Sequence, residues 1–251
     1  MILRTLPACV LRRPVFNNKE HNLEILWNGF TLDIPEGCFP LSTDSMLLGW
    51  FVRLPKSARV LDLGSGCGTM GLLLCARDEK CRVTGIELTE PAHRAALANI
   101  ARNGLEDRME SICADVRQVP SLLSAGSFTT VVSNPPYFSG GPRSTALSMA
   151  RREDCCTVRE LLQSAAWALK YGGDLFLVHR PERLGEIVAQ AGSLFLEAKE
   201  LCLVRHRPGG PIILILLRLR KGGKPGLKWE EIVLHDPSGA PTGQYRRIYH
   251  L

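Results

Sequence analysis

One stretch constrains this chain more than any other. Asp62-Leu63-Gly64-Ser65-Gly66-Cys67-Gly68-Thr69 follows a short apolar run, Val60-Leu61-Asp62-Leu63, and leads into a helix-like segment, 69–76. Three alternate glycines between a strand and a helix let the backbone turn tightly. They also let it pass close to a ligand at the carboxyl edge of a sheet, where α/β folds bind nucleotides. The spacing is G-x-G-x-G. That is neither the G-x-G-x-x-G of a dinucleotide site nor a phosphate loop with its lysine.

From that turn onward, strand and helix patterns alternate. Residues 81–87 read as a strand and 90–103 as a helix, with Thr89 as its cap, Pro91 in its first turn and Gly104 after its end. Strands follow at 109–114 and 129–133, a helix at 158–169 stopping at Gly172-Gly173, a strand at 174–179 and a helix at 182–191. This order predicts an α/β fold with a mostly parallel, doubly wound sheet. The end breaks the pattern. Strands at 201–205 and 212–219, turned by Pro208-Gly209-Gly210-Pro211, should pair antiparallel at one edge, and 229–235 adds a short strand. Ahead of the core, 23–34 reads as a hairpin around Asn28-Gly29, the favoured type I′ pair, and 42–52 as a helix capped by Ser42 or Thr43. The expected boundary lies near Pro55-Lys56-Ser57, dividing a hairpin-helix extension, 1–56, from a core, 57–251.

At 251 residues and 45% hydrophobic, the chain is long enough for one α/β domain with a sizeable core. Its longest wholly apolar run, 212–217, is too short to span a bilayer. Arg4, Pro7, Arg12 and Arg13 interrupt any signal-peptide core. The nine cysteines include no C-x-x-C pair, so neither a zinc ribbon nor a disulfide framework is expected. Reduced thiols in a cytoplasmic protein without a metal are the expectation. The net charge of +6 leans toward a polyanionic partner without excluding a small-molecule enzyme.

The strand ends carry the chemistry. Asp62 is placed to accept hydrogen bonds from an amine, directly or through water. Glu87 closes the second strand about twenty positions after the glycine turn, where an acidic residue accepts ribose hydroxyls; otherwise it is a solvated strand-end carboxylate. Asp115 can accept from an adenine amino group, or act as a helix N-cap. Asn134-Pro135-Pro136-Tyr137 follows the fourth strand. An exocyclic amine or amide nitrogen is a poor nucleophile because its lone pair is delocalised. The Asn134 side-chain oxygen and the Pro135 carbonyl can take two hydrogen bonds from such an NH2 and draw the nitrogen toward tetrahedral geometry. The prolines fix both acceptors in place. Tyr137 can stack on a flat substrate.

With these motifs in this order, the chain resembles class I S-adenosylmethionine-dependent methyltransferases bearing an N-P-P-Y motif. It more closely resembles the bacterial tRNA adenine-N6 methyltransferases that modify the adenine beside the anticodon of a valine tRNA. Phe39-Pro40-Leu41-Ser42-Thr43-Asp44-Ser45-Met46-Leu47-Leu48 resembles that family's F-x-x-S-x-D-S-x-L-L segment. Ala150-Arg151-Arg152-Glu153 resembles its A-R-H-E, with Arg152 where histidine is common. Arg180-Pro181-Glu182-Arg183-Leu184 resembles its R-x-E-R-L, and Tyr245-Arg246-Arg247-Ile248-Tyr249 a shortened, more basic form of its tail.

The resemblance implies a Rossmann-like core, S-adenosylmethionine as cofactor, tRNA as partner and adenine N6 as acceptor. The cofactor contacts it implies are Asp62, Gly64, Ser65, Gly66, Gly68, Glu87, Leu88, Asp115, Val116 and Asn134. Phe39 and Asp44 should cover the methionine end, although Asp44 also fits as a first-turn carboxylate favoured by the helix dipole. Arg143, Arg151 and Arg152, just after the catalytic loop, would grip phosphates. Arg218, Arg220, Lys221, Lys224, Arg246 and Arg247 are further basic residues expected near the mouth. Three alternatives stay open: a glutamine-N5 methyltransferase of a release factor, a guanine-N2 methyltransferase of ribosomal RNA, and a non-catalytic cofactor-binding RNA assembly factor. A hairpin rather than a helical domain at the N-terminus argues against the first. The sequence does not fix the oligomeric state.

Overall fold

The computed structural model describes residues 21–135 and 156–250. Strands β1 (His21–Ile25) and β2 (Thr31–Pro35) form the antiparallel hairpin. Asn28 and Gly29 both take positive φ, 60° and 78°, as a type I′ pair does. The connection is longer than the two-residue loop expected. Ile25 pairs with Thr31, and the Leu26 N–H donates to the Phe30 carbonyl at 2.7 Å. The additional residues seat Trp27, which is buried in the main hydrophobic cluster.

Helix α1 (Thr43–Phe51) is capped by Ser42, whose hydroxyl accepts from the Ser45 N–H. The core follows as β3 (Arg59–Leu63), α2 (Thr69–Arg77), β4 (Arg82–Glu87), α3 (Glu90–Arg102), β5 (Met109–Cys113), the one-turn α4 (Val119–Leu122) and β6 (Phe128–Ser133). Beyond residue 156 come α5 (Val158–Ala168), β7 (Leu169–His179), α6 (Leu184–Gly192), β8 (Leu196–Arg205), β9 (Ile212–Lys221), β10 (Lys228–Val233) and α7 (Gly243–Tyr249).

Eight strands form one sheet in the order β10-β8-β9-β7-β6-β3-β4-β5. Every neighbouring pair is parallel except those of β9, which runs antiparallel to both β7 and β8. The two C-terminal strands expected at the edge are therefore displaced inward, and β10 takes the edge. Composition explains this. The β9 run Ile212-Ile213-Leu214-Ile215-Leu216-Leu217 is apolar on both faces and suits an interior position. In contrast, β10 exposes Lys228, Trp229 and Glu230, as an edge strand tolerates. Strand β7 begins at Leu169, so Gly172-Gly173 lie within it instead of ending a helix. At Gly173 a Cβ would sit 2.9 Å from the Thr129 carbonyl, and the β6–β7 register shifts beside it.

The two faces of the sheet carry separate apolar layers. The hairpin, α1, α2 and α3 pack on one; α5 and α6 cover the other. Asn99 of α3, fully buried, fastens the hairpin to the core. Its Oδ1 accepts from the Asp33 N–H at 2.8 Å, and its Nδ2 donates to the carbonyls of Asp33 and Cys67 at 2.9 and 3.0 Å. Asn103, one turn on, makes the same paired contact with Thr31 at 2.8 and 2.7 Å.

The antiparallel course of β9 corrects one expectation. It carries Arg218, Arg220 and Lys221 to the end of the sheet away from the glycine turn. There Arg218 bridges Asp174 and Glu200, Arg220 holds Asp174 through two bonds of 2.9 and 2.8 Å, and Lys221 caps the carbonyls of Ala166 and Leu169. These cations are committed to holding strands together.

Candidate active site

Strands β3, β4, β6 and β7 end at one edge of the sheet, and a cavity of about 670 Å³ opens there. The turn after β3 forms its floor. Gly64 and Ser65 donate their N–H groups to the Ile86 carbonyl at 2.9 and 3.0 Å, holding the turn against β4. Gly66 and Gly68 have φ of +55° and +86°, which side-chain-bearing residues rarely adopt. A Cβ at Gly68 would also lie 2.9 Å from the Met109 methyl. Gly68 itself starts α2 just behind the cavity lining.

Glu87 is the hub. One carboxylate oxygen accepts from the Gly66 N–H at 2.9 Å; the other accepts from the Thr89 N–H and hydroxyl at 2.8 and 2.7 Å. It is 9% exposed and lines the cavity, so it is no solvated strand end. The Thr89 hydroxyl, expected to cap α3, is spent on Glu87, and α3 has no side-chain cap.

Asp62 lies beneath this turn, 1% exposed, and neither of its carboxylate oxygens has a hydrogen-bond partner among the described residues. Burial, and secondarily the neighbouring Glu87, push its pKa up to about 8. The Ser65 hydroxyl is also buried, with no partner among the described residues, and packs where Gly85 has no Cβ. An unpaired buried carboxylate costs free energy that a cation or a donor-rich ligand removes. S-adenosylmethionine, with its ammonium, sulfonium and ribose hydroxyls, fits this donor and acceptor set.

Leu88, Asp115, Val116 and Phe39 all line the cavity. Asp115 also caps the short turn after β5. It accepts from the Arg117 N–H at 2.8 Å and from the Arg117 guanidinium at 3.0 and 2.5 Å, while its own N–H donates to Gln118. The Arg117 guanidinium holds the Asp115 carboxyl below the usual carboxylate range. The capping alternative is thus realised in a residue that still faces the cavity. Asp44 stands in the first turn of α1, outside the lining.

Asn134 and Pro135 form the wall at the end of β6. The Ser133 hydroxyl ties this strand end to β3 through the Leu63 carbonyl at 2.7 Å. Asn134 Nδ2 donates to the Ser45 hydroxyl of α1 at 3.0 Å. With the NH2 end so used, the acceptor of this amide is Oδ1. Pro136, Tyr137, Arg143, Arg151 and Arg152 lie outside the described residues.

Among the lining residues that sequence reasoning does not single out are Ser45, Thr157 and His179. Ser45 sits inside the S-T-D-S run, so a signal for it exists. Thr157 caps α5 through the Glu160 N–H. His179 ends β7, a position where site residues gather, and its Nδ1 accepts from the Arg180 N–H at 2.8 Å. Leu161, Leu162, Leu177 and Ile187 make the opposite wall apolar. The arrangement can seat a cationic ligand over an acidic floor, and a flat acceptor beside Asn134. Among the described residues no cluster of three or more His, Cys, Asp or Glu could hold a metal ion, and no helix is long and apolar enough to cross a membrane.

Known proteins share these features. The family model of the methyltransferase small domain matches residues 43–188. A tRNA1(Val) (adenine(37)-N6)-methyltransferase of Aeromonas hydrophila is 31% identical over 222 residues, covering 87% of this chain and 92% of that protein. The protein of the same name from Photobacterium profundum is 30% identical over 216 residues, covering 83% and 88%. A solved structure described as a predicted O-methyltransferase, from Agrobacterium tumefaciens, superposes with a TM-score of 0.70 at 27% identity, covering 82% of this chain and 95% of that one.

Proposed function

The chain belongs to the methyltransferase small domain family and is an S-adenosylmethionine-dependent methyltransferase; we propose that its acceptor is N6 of an adenine in the anticodon loop of a tRNA. The observation that carries this reading is Asn134 at the end of β6, held by Ser45 against the cavity that Asp62 and Glu87 underlie. The cofactor supplies an electrophilic methyl group on a sulfonium. The protein's part is positioning. Asp62 and Ser65 answer the ammonium end, Glu87 the ribose, and Asp115 the adenine edge, while Phe39 covers the methionine end. Asn134 Oδ1 and the Pro135 carbonyl accept the two amino hydrogens of the target base. The lone pair then localises toward the methyl; the new N–C bond would form as the sulfonium's S–CH3 bond breaks, with the neutral thioether as leaving group and the nitrogen's surplus proton passing to water. Pro136 fixes the loop and Tyr137 stacks on the base. Arg143, Arg151 and Arg152 hold flanking phosphates. An unpaired loop adenine suits such a site because presenting it costs less than extruding one from a duplex.

The relatives named for tRNA1(Val) adenine 37 support this acceptor. A tRNA substrate implies action in the cytoplasm. Incubation with labelled methyl donor and total tRNA, followed by digestion to nucleosides, tests the reading. Label in N6-methyladenosine is the expected result. Label on guanine, or on a release-factor glutamine and not on tRNA, overturns it.

A further inference from the structure

The carboxyl edge of the sheet extends past the cavity. Strands β8 and β10 run parallel to β7, so their tips, at His206 and His235, emerge on the same edge as the glycine turn and Asn134. From these tips a file of rings leads back toward the site. His206 and His235 have centroids 6.4 Å apart, His235 and Tyr245 5.3 Å, and Tyr245 and Tyr249 4.2 Å with planes 13° apart. Helix α7, which carries both tyrosines, packs against α1, whose first residue is Thr43. Two residues on is Ser45, which holds Asn134.

Cations flank this file. Arg207, Arg246 and Arg247 are all exposed, and no carboxylate among the described residues pairs with them. The contrast with the opposite edge is clear, where Arg218 and Arg220 are consumed by Asp174 and Glu200. Two acidic neighbours on this edge, Glu231 and Asp236, are engaged internally. Glu231 pairs with Arg205 at 2.7 Å, and Asp236 accepts from Ser238 and Ala240 within its own loop. Exposed guanidinium groups without carboxylate partners, on residues close in sequence to an exposed or half-buried ring, make a surface that binds a single-stranded polyanion, with the cations on phosphates and the rings on bases.

We propose that the surface from His206 through His235 and Tyr245, flanked by Arg207, Arg246 and Arg247, holds the RNA strand adjoining the target nucleotide. This rests on the tRNA reading above and assigns it a face distinct from the loop after Tyr137. Phosphate contacts at three arginines give affinity and register, and Asn134 keeps the choice of atom.

The test uses the full chain and unmodified tRNA. The variant R207A/R246A/R247A should bind tRNA at least tenfold more weakly. The slope of log affinity against log salt should flatten by about one unit for each phosphate no longer held. Cofactor affinity should stay unchanged. A control triple at the opposite edge, K56A/K80A/K228A, removes equal charge and should leave the slope near that of the parent. Ultraviolet cross-linking of tRNA containing 4-thiouridine should map to peptides around 205–210 and 243–250, and H206A, which changes only the exposed end of the ring file, should lower the yield at 205–210. Parent-like salt slopes in the arginine triple, equal loss in the control triple, or cross-links confined to other peptides would each overturn the surface. The tRNA reading fails separately, if the parent protein methylates no tRNA at all.

Discussion

Asn134 Nδ2 donates to the Ser45 hydroxyl across 3.0 Å, joining the end of β6 to the first turn of α1. Ser45 Oγ lies 3.3 Å from Ser42 Oγ, so the helix cap and the Asn134 amide share one chain of hydroxyls. The bond orients the amide and so sets where its acceptor, Oδ1, faces. Ser45→Ala frees the Asn134 amide to rotate while leaving its atoms in place. The expected result is a single-turnover rate lower by roughly tenfold, equivalent to about 1.4 kcal/mol, with cofactor affinity little changed. In an Asn134→Ala background, itself nearly inactive yet folded, the second change should add nothing. Independent, multiplying losses in the double variant would mean that Ser45 acts elsewhere.

Glu87 receives three donors, which serve two segments. Its bond from Gly66 holds the glycine turn, and the pair from Thr89 fixes the start of α3. Glu87→Ala therefore loses the proposed ribose acceptor and loosens the turn together. Cofactor binding should weaken by roughly 1–3 kcal/mol. Thr89→Val, which removes only the hydroxyl donor, should weaken it less. Calorimetric affinities that rank the two variants in the opposite order would contradict the hub role.

Asn99 couples the N-terminal hairpin to the cofactor turn, since its amide bonds to Asp33 on one side and to Cys67 on the other. Asn99→Ala leaves those buried backbone groups unpaired, at roughly 1–3 kcal/mol each. The urea midpoint should fall with an unchanged slope, and cofactor affinity should fall with it. A midpoint within error of the parent would show that water replaces the amide.

How far the sequence alone reaches follows from where the information lies. The strand–glycine–helix order and the N-P-P-Y run are local signals, so the sheet, the turn at Gly64 to Gly68 and the place of Asn134 are all legible. Strand order at the C-terminal end is not. Whether β9 sits inside or at the edge depends on which partners saturate its two sides, and periodicity within one strand does not report that. Asn99 is invisible for a related reason, because an asparagine within a helix reads as solvent-facing until its partners 66 residues away are known. Arg218 and Arg220 look available for RNA because sequence proximity to a hairpin says nothing about strand direction. Helix α7 escapes notice because its seven residues are mostly polar or aromatic, and only Ile248 is buried.

The unpaired state of Asp62 gives a pH signature with an unusual sign. Its pKa rises from an ordinary 3.8 when unfolded to about 8 in the ligand-free fold. The folded state therefore binds the proton more tightly. The contribution to stability is fully present below pH 4 and is lost progressively as the pH rises toward 8, opposite to a salt-bridged carboxylate. Asp62→Asn removes the titration, so the variant should gain stability relative to the parent between pH 5 and 8 when no ligand is bound. A cationic ligand beside Asp62 favours the ionised form, so S-adenosylmethionine should displace a proton near pH 7. Calorimetry in buffers of different ionisation enthalpy measures this directly. The parent should release a substantial fraction of one proton on binding, and Asp62→Asn none, with weaker affinity. Equal proton release from both proteins would detach Asp62 from the ammonium and return its carboxylate to a purely structural role.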